Sequence, residues 1–409
     1  MDSMDELLEK LVKGEISLKD IDDMASPNDA QHIKLSYLEK KLGQDLSILG
    51  KFTVDPSKLK HKNVENLIGT VEVPLGIAGP LRIRTSGYEG EHFIPIATTE
   101  GALVASISRG CKLLSSNNHV FVKSVYHGAT RAPLFVTNSI EESAKLAKWI
   151  EDNFSIWREI AREQSHHLDV LKYKITTFGN KLWLRINFDT DEAMGMNMGS
   201  IATATITEYV IKFNPYARLI SLSGNMCADK KPALINSIEG RGYEVDAQAS
   251  IPAAALMEKL HVTPAELAEV NRLKVWYGGA LAGSLGFNSH AANIIAGVFI
   301  ATGQDVAQVV DSSINYVSFE CVDEDLQVTV KIPSLMVGTV GGGTGIAKQA
   351  KAIDLMLSNT EKKAYIGKRA QLLAELIAGA VMAGELSLNA ALVHQDFVSA
   401  HKKLGRGKL

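Results

Sequence analysis

Between residues 111 and 219 the chain changes texture, and that change limits the folds open to it. The segments "HVFVKSVYH", "SIEESAKLAKWIEDNFSIWREIAREQ", "YKITTFG", "KLWLRINF" and "GSIATATITEYVIKF" alternate strand-like and helix-like patterns. On either side small residues take over, in "ATTEGALVASISRGCKLL" (97–114) and in "TPAELAEVNRLKVWYGGALAGSLG" after residue 220. The pattern predicts an α+β fold in which a compact unit, residues 111–219, is inserted into a larger domain. The larger domain is then divided in sequence, into 51–110 and 220–409. Residues 1–50 form a helical segment in which "DAQHIKLSYLEKKLG" is helically periodic and Gly43 supplies a stop. In "ENLIGTVEVPLGIAGPLRI" (65–83), branched residues alternate between Pro and Gly, as strands and tight turns do. Thr98 or Thr99 is the expected N-cap of the helix within 97–114, and Thr263 with Glu266 reads as a capping box.

Composition removes several function classes. A net charge of -3 over 409 residues gives no general attraction to nucleic acid or to an anionic membrane. Cys111, Cys227 and Cys321 are scattered, so neither a disulfide framework nor a structural zinc site is expected, and a reducing compartment is. The start, "MDSMDELLEKLVKGEISLKDI", is acidic and unlike a signal peptide, and no apolar run comes close to the roughly 20 residues that span a bilayer. A cytoplasmic protein is the expectation.

The chemistry-bearing stretches each allow two readings. In "SLSGNMCADKKPALINSIEGRG" (221–242), Asp229, Lys230 and Lys231 stand among small and apolar residues. Either this is a solvent-exposed turn, or the lysines meet negative charge in a half-buried site, because paired ammonium groups are costly to desolvate alone. Glu100 in "TTEG" is either an acid complementing a helix N-terminus or a carboxyl in an apolar pocket, poised to give up a proton. Ser106, Ser108 and Arg109 follow it and offer donors to phosphate or carboxylate. His290 and Asn293 share a helical face, whereas Asp305 would lie about 18 Å beyond Asn293 unless Gly303 breaks the helix. "DEAMGMNMGS" (191–200) and "GTVGGGTG" (338–345) are glycine-bearing stretches suited to close backbone approach or to cradling anions. Neither is a dinucleotide fingerprint following a strand. His394 and His401 lie on a basic tail that is either a solvated end or a movable proton donor.

Taken together, "ATTEGALVASISRGCK", "TRAP", "SGNMCADKKPALINSIEGRG", "LAGSLGFNSHAANI", "GQDVAQ", "EAMGMNM", "GTVGGGT" and "SAHKKLGR" resemble the 3-hydroxy-3-methylglutaryl-coenzyme A (HMG-CoA) reductase family, over about residues 60–406. The combination is similar to the class found in eukaryotes and archaea, in its soluble archaeal form. The resemblance implies a large domain around a long central helix and an inserted, ferredoxin-like small domain that binds the cofactor. The implied reaction reduces HMG-CoA to mevalonate and coenzyme A with two NADPH, a step of isoprenoid synthesis. The implied catalytic set is Glu100 as proton donor, Lys230 for the oxyanion, Asp305 tuning both, and His401 protonating the departing thiolate. Arg131, Ser223, Asp229, Lys231, Lys274 and Asn293 match positions that hold the hydroxymethylglutaryl group, and Ser106, Arg109 and His290 match positions near coenzyme A. Met194, Gly195, Met196 and Asn197 match the dinucleotide segment, with Glu192 in place of the usual aspartate. Gly341, Gly342, Gly343 and Thr344 belong to the nearby glycine loop. Ser165 and His166 stand where a serine and an arginine grip the 2'-phosphate, which leaves NADH as the lesser choice. "ENLIG" (65–69) is similar to the dimer motif, implying a homodimer, or a tetramer, with sites shared between subunits. Two other readings stand beside this one: a degradative NAD-dependent relative, and a non-catalytic acyl-CoA-binding protein.

Overall fold

The computed structural model describes residues 3–59, 63–116, 119–358 and 365–393. Ten strands are hydrogen-bonded into one mixed, largely antiparallel system. They are β1 (Leu75–Arg84), β2 (Glu89–Ala97), β3 (Val120–Arg131), β4 (Leu134–Val136), β5 (Asp169–Phe178), β6 (Lys181–Asp189), β7 (Arg218–Ser221), β8 (Gly242–Ile251), β9 (Tyr316–Val322) and β10 (Asp325–Leu335). In β8 and β10 buried and half-buried residues alternate along most of the strand, the period of a strand with one face on a core.

β3 belongs to both halves of the molecule. Residues 121–128 pair with β8, while Ala129, Thr130 and Arg131 pair with β6. Beyond that switch the strands run β7, then β3 and β4 in succession, then β6, then β5, each antiparallel to its neighbour. The helices between β4 and β5 and between β6 and β7 make this two interlocked strand-helix-strand units. Its core is separate, drawn from Phe135 to Ala217 and centred on Trp157, Phe188 and Ile206. The expected insert began too early: Cys111, Leu113, Leu114, Val120 and Val122 pack in the larger core, because the helix Leu103–Ser116 faces the other way.

The larger core surrounds the helix Arg369–Val393. Its residues are buried almost without interruption from Ala370 to Ser387, so it is apolar on nearly every side. Each fully buried Leu or Ile there contributes about 1.5–3 kcal/mol. The helix is long and apolar enough to cross a membrane by length and composition, which corrects the expectation that no run approaches that length. Yet 78% of its most apolar window is buried inside the protein. Gly110 lets the helix Leu103–Ser116 lie against it, since a Cβ at that position would come within 2.0 Å of the Ala383 carbonyl oxygen. At the N-terminus, helices Met4–Lys13, Leu18–Met24 and Pro27–Leu42 close their own small core, the last ending at Gly43 in the left-handed conformation. Thr263 and Glu266 form the expected capping box. Thr98 does not cap the next helix: that helix begins at Leu103, and the Thr98 hydroxyl instead accepts the Glu100 N–H at 3.0 Å.

Candidate active site

The loop between β7 and β8 holds its backbone in an unusual shape. Asn225, Ala228 and Lys230 all have positive φ, a conformation that costs a non-glycine residue roughly 1–3 kcal/mol when the surroundings impose it. Those surroundings are visible. Thr130 donates to the Cys227 carbonyl at 2.7 Å, and Asn236 donates to the Ala228 carbonyl at 3.1 Å. The Asp229 carboxylate accepts from Arg241 at 2.7 Å, Gln308 at 2.8 Å and Arg131 at 3.1 Å. Burial raises the Asp229 pKa, but Arg241, Gln308 and Arg131 outweigh it and leave the group below the usual carboxylate range. The Lys230 N–H donates to Asp311 at 3.2 Å, and its ammonium meets Asp305 at 2.8 Å.

Asp305 reaches Lys230 because the helix Ala291–Thr302 ends where Gly303 turns left-handed. The long unbroken helix that would have carried Asp305 away does not form. Gly303 also lets the glycine loop approach: a Cβ on it would lie 2.3 Å from the Gly343 carbonyl oxygen. Across the cavity, Gly195 begins the helix Met196–Phe213 with φ 78°, where a Cβ would overlap the Thr190 side chain. Among the described residues no side chain caps that helix, and the amides of its first turn suit an anion.

These parts enclose a cavity of about 710 Å³. Its walls bring together Arg131, Asp229, Lys230 and Asp305 with Met194, Gly195, Met196 and Asn197, and with Gly341, Gly342, Gly343 and Thr344. At Gly341 and Gly342 a Cβ would meet only open space, so the loop presents bare backbone there. The volume suits a small-molecule ligand.

Other expected residues stand elsewhere. Glu100 is exposed on the loop before the helix Leu103–Ser116, and among the described residues no apolar enclosure forms around it. Ser106 and Arg109 bond Ser387 of the central helix at 3.0 Å. His290 stands at the N-cap position of the helix Ala291–Thr302 without a side-chain capping bond, and its backbone N–H donates to the buried carboxylate of Glu385 at 2.7 Å, while Asn293 lies half-buried one turn in. Lys274 donates to the Ser289 hydroxyl at 2.6 Å from within the π-helix Asn271–Gly278. Desolvation holds the Lys274 pKa below the usual lysine value, against the opposite pull of Glu385. Ser223 and Lys231 are exposed beside the loop, Ser223 lying 3.2 Å from the Cys227 sulfur. Ser165 and His166 are not among the cavity-lining residues; Ser165 accepts the His167 N–H at 3.2 Å and His166 is exposed. Glu192 turns away too. It accepts the Arg369 and Ala370 amides at 2.7 and 2.8 Å and the Thr339 hydroxyl at 2.7 Å, joining the central helix to the glycine loop. His401 lies outside the described residues.

Arg241, Gln308, Asp311 and Glu385 escaped the sequence reading. Arg241 sits inside "EGRG", yet nothing in that string announces a guanidinium with 0% exposure binding two carboxylates.

Comparison with known proteins bears on the family of the whole chain. The family model described as hydroxymethylglutaryl-coenzyme A reductase matches residues 30–406. A 3-hydroxy-3-methylglutaryl-coenzyme A reductase of Aeropyrum pernix is 43% identical, over 99% of this chain and 97% of its own length. That of Haloferax volcanii is 41% identical over 98% of each. A class II enzyme of this name from Streptococcus pneumoniae, solved bound to NADPH, superposes with a TM-score of 0.63 at 16% identity, covering 92% of this chain and all of that one. With a family model spanning most of the sequence and relatives above 40% identity end to end, the chain belongs to the hydroxymethylglutaryl-coenzyme A reductase family.

Proposed function

We propose that the chain reduces HMG-CoA to mevalonate and free coenzyme A, consuming two NADPH, and so feeds isoprenoid synthesis. The observation that carries this reading is the Lys230 ammonium, fixed against Asp305 in a cavity whose other wall is glycine-rich backbone and an uncapped helix start. We read the half of the chain around β4 to β7 as the ferredoxin-like cofactor unit, on the strength of its strand order. The dinucleotide fits the cavity by chemistry. Bare amides at the start of the helix Met196–Phe213 suit its pyrophosphate, and the glycine loop leaves room beside them.

NADPH supplies the hydride. Everything else falls to side chains. Lys230 places a positive charge where the thioester carbonyl becomes an oxyanion, a preorganised interaction worth about 3 to 4 kcal/mol in comparable sites. Asp305 keeps that ammonium aimed, and Arg131 with Lys231 and Lys274 offers cations to the free carboxylate of the substrate. Glu100 delivers a proton to the aldehyde oxygen in the second reduction. His401 protonates the coenzyme A thiolate, a transfer that runs downhill from imidazolium to thiol. Ser106, Arg109 and His290 would flank coenzyme A, and Asn293 and Ser223 the hydroxymethylglutaryl group. Glu192 supports the cofactor segment through its helix cap, and Ser165 and His166 sit at the outer edge of the cofactor unit. Because Glu100 is exposed and stands apart from the cavity in one chain, we assign the complete site to two chains of a homodimer. A cytoplasmic setting accords with the burial of the central helix.

The direct test is the reduced-nicotinamide absorbance of purified protein with HMG-CoA, run with NADPH and with NADH. NADPH oxidation giving mevalonate is expected. Oxidation of neither cofactor would leave a binding protein, and a clear preference for NAD in the reverse direction would favour the degradative relative.

A further inference from the structure

Behind Lys230 lies a second layer of charge that faces no solvent. Arg241, 0% exposed, donates to Asp311 at 2.6 Å and to Asp229 at 2.7 Å, and also to Gln308 and Thr130. Asp311, likewise 0% exposed, accepts the Lys230 N–H with the same oxygen that meets Arg241. A buried ion pair of this kind is a poor source of stability, since desolvating both charges costs about as much as their attraction returns. Its use must be sought in what it holds. What it holds is Lys230, the cavity residue whose ammonium faces Asp305 and whose backbone is left-handed.

We propose that Asp311 and Arg241 form a buried charge pair that fixes the backbone of Lys230, which makes Asp311 a positioning residue for the reduction. The proposal rests on the reading of Lys230 as the oxyanion-stabilising group. Two connections run from the pair to that group: Asp311 holds the Lys230 amide directly, and Arg241 holds the Asp229 carboxylate one residue earlier. With both ends fixed, the Lys230 side chain leaves the loop in one direction, toward Asp305.

The environment of Asp311 adds a readout. Burial pushes its carboxyl up to about 6, against the pull of Arg241 and of the Lys230 and Lys231 amides, and Asp229 pushes in the same direction as burial. Arg131 acts one contact further away, through Asp229, and Cys227 faces Arg241 from the loop. Above that pH Asp311 is an anion and the pair is intact. Below it the carboxyl takes a proton, the charge opposite Arg241 is lost, and the Lys230 amide keeps only a neutral acceptor. Protonation thus produces in the native protein the state that Asp311→Asn produces at every pH.

The experiment uses full-length enzyme with Asp311→Asn, Asp311→Ala and Lys230→Ala, measuring kcat, both KM values, NADPH affinity by fluorescence and the unfolding midpoint. Asp311→Asn is expected to keep its fold and its NADPH affinity while kcat falls roughly 10- to 100-fold, since a misplacement of about 1 Å at a reacting centre has that effect. Asp311→Ala is expected to fall further. In the unsubstituted enzyme kcat drops as pH falls through about 6, and in Asp311→Asn that limb is absent. Wild-type kcat in Asp311→Asn overturns the proposal, as does an acid limb that persists unchanged in that variant. If the substituted chains do not fold, the native enzyme still decides: a kcat that stays level between about pH 5 and 7 overturns it. An active Lys230→Ala would bring down the reading of Lys230 itself, whereas an inactive Lys230→Ala beside a normal Asp311→Asn refutes the positioning role alone.

Discussion

The two sides of this molecule that bear chemistry are built to different degrees of completeness. Around Lys230, each residue from Cys227 to Lys230 is tied by at least one side-chain hydrogen bond, and the partners come from β3, the helix Leu234–Glu239, the residue just before β8 and the segment after Gly303. Around Glu100, Lys274 and His290 the side chains stand exposed or half-exposed, and what organises them is behind them: Glu385 holding the amides of Ser289 and His290, and Ser387 holding Ser106 and Arg109. On the proposed reading, one chain would supply a finished half-site for hydride chemistry and an open face for the acyl-CoA. A second copy laid against that face would complete it.

The largest effect that could break this comparison is the loss of Lys230. Lys230→Ala should lower kcat by about 10²- to 10³-fold with little change in NADPH affinity, since in the proposed role the ammonium acts on a charge that exists only during the reaction. Steady-state kinetics with a fluorescence titration of NADPH checks both halves of that statement, and a loss confined to KM would assign Lys230 to ground-state binding instead.

A smaller effect is expected on the cofactor wall. Gly195→Ala places a Cβ 2.2 Å from Thr190 atoms at a positive φ, so the first turn of the helix must shift. NADPH affinity should weaken roughly tenfold, and kcat at saturation should change less. Unchanged NADPH affinity would move the dinucleotide away from that turn.

The smallest effect belongs to the open face. Lys274 is cationic at low pH and loses its proton as pH rises, and since desolvation lowers its pKa, the loss begins below the usual lysine range. KM for HMG-CoA should therefore climb on the alkaline side, and Lys274→Arg should flatten the climb because the guanidinium stays charged. An alkaline rise that survives in Lys274→Arg would mean that another group meets the substrate carboxylate.

Much of this was legible in the sequence, for reasons that differ from place to place. Thr263 with Glu266 and Gly43 are local signals, decided by backbone hydrogen bonds within one turn, and the structure has both. The motif "ADKK" allowed two readings, an exposed turn or lysines meeting negative charge, and the fold has something of each: Lys230 meets Asp305, while Lys231 is exposed. Gly303 was the open question about Asp305, and its left-handed φ answers it. What stayed hidden depends on distant pairing. Asp311 and Arg241 are 70 residues apart, and Glu385 is 95 from His290. No periodicity or spacing rule reports such contacts. The boundary of the inserted unit was misjudged for a related reason: β3 is one continuous strand whose two ends serve different cores, so no change of texture marks the crossing. The membrane-length helix shows a third case, where charged Glu375 and Glu385 interrupt the apolar pattern in sequence but are buried and bonded in the fold.

The central claim is that the finished half-site of one chain works with the open face of another. Mixing Glu100→Gln chains with Lys230→Ala chains, after co-expression or subunit exchange, tests it most directly. Each variant alone should be nearly inactive, and the mixture should regain up to about a quarter of native activity, the share of sites that random pairing leaves with both residues intact. A mixture as inactive as its components, with mixed dimers demonstrably present, would contradict the shared site and return Glu100 and Lys230 to a single chain.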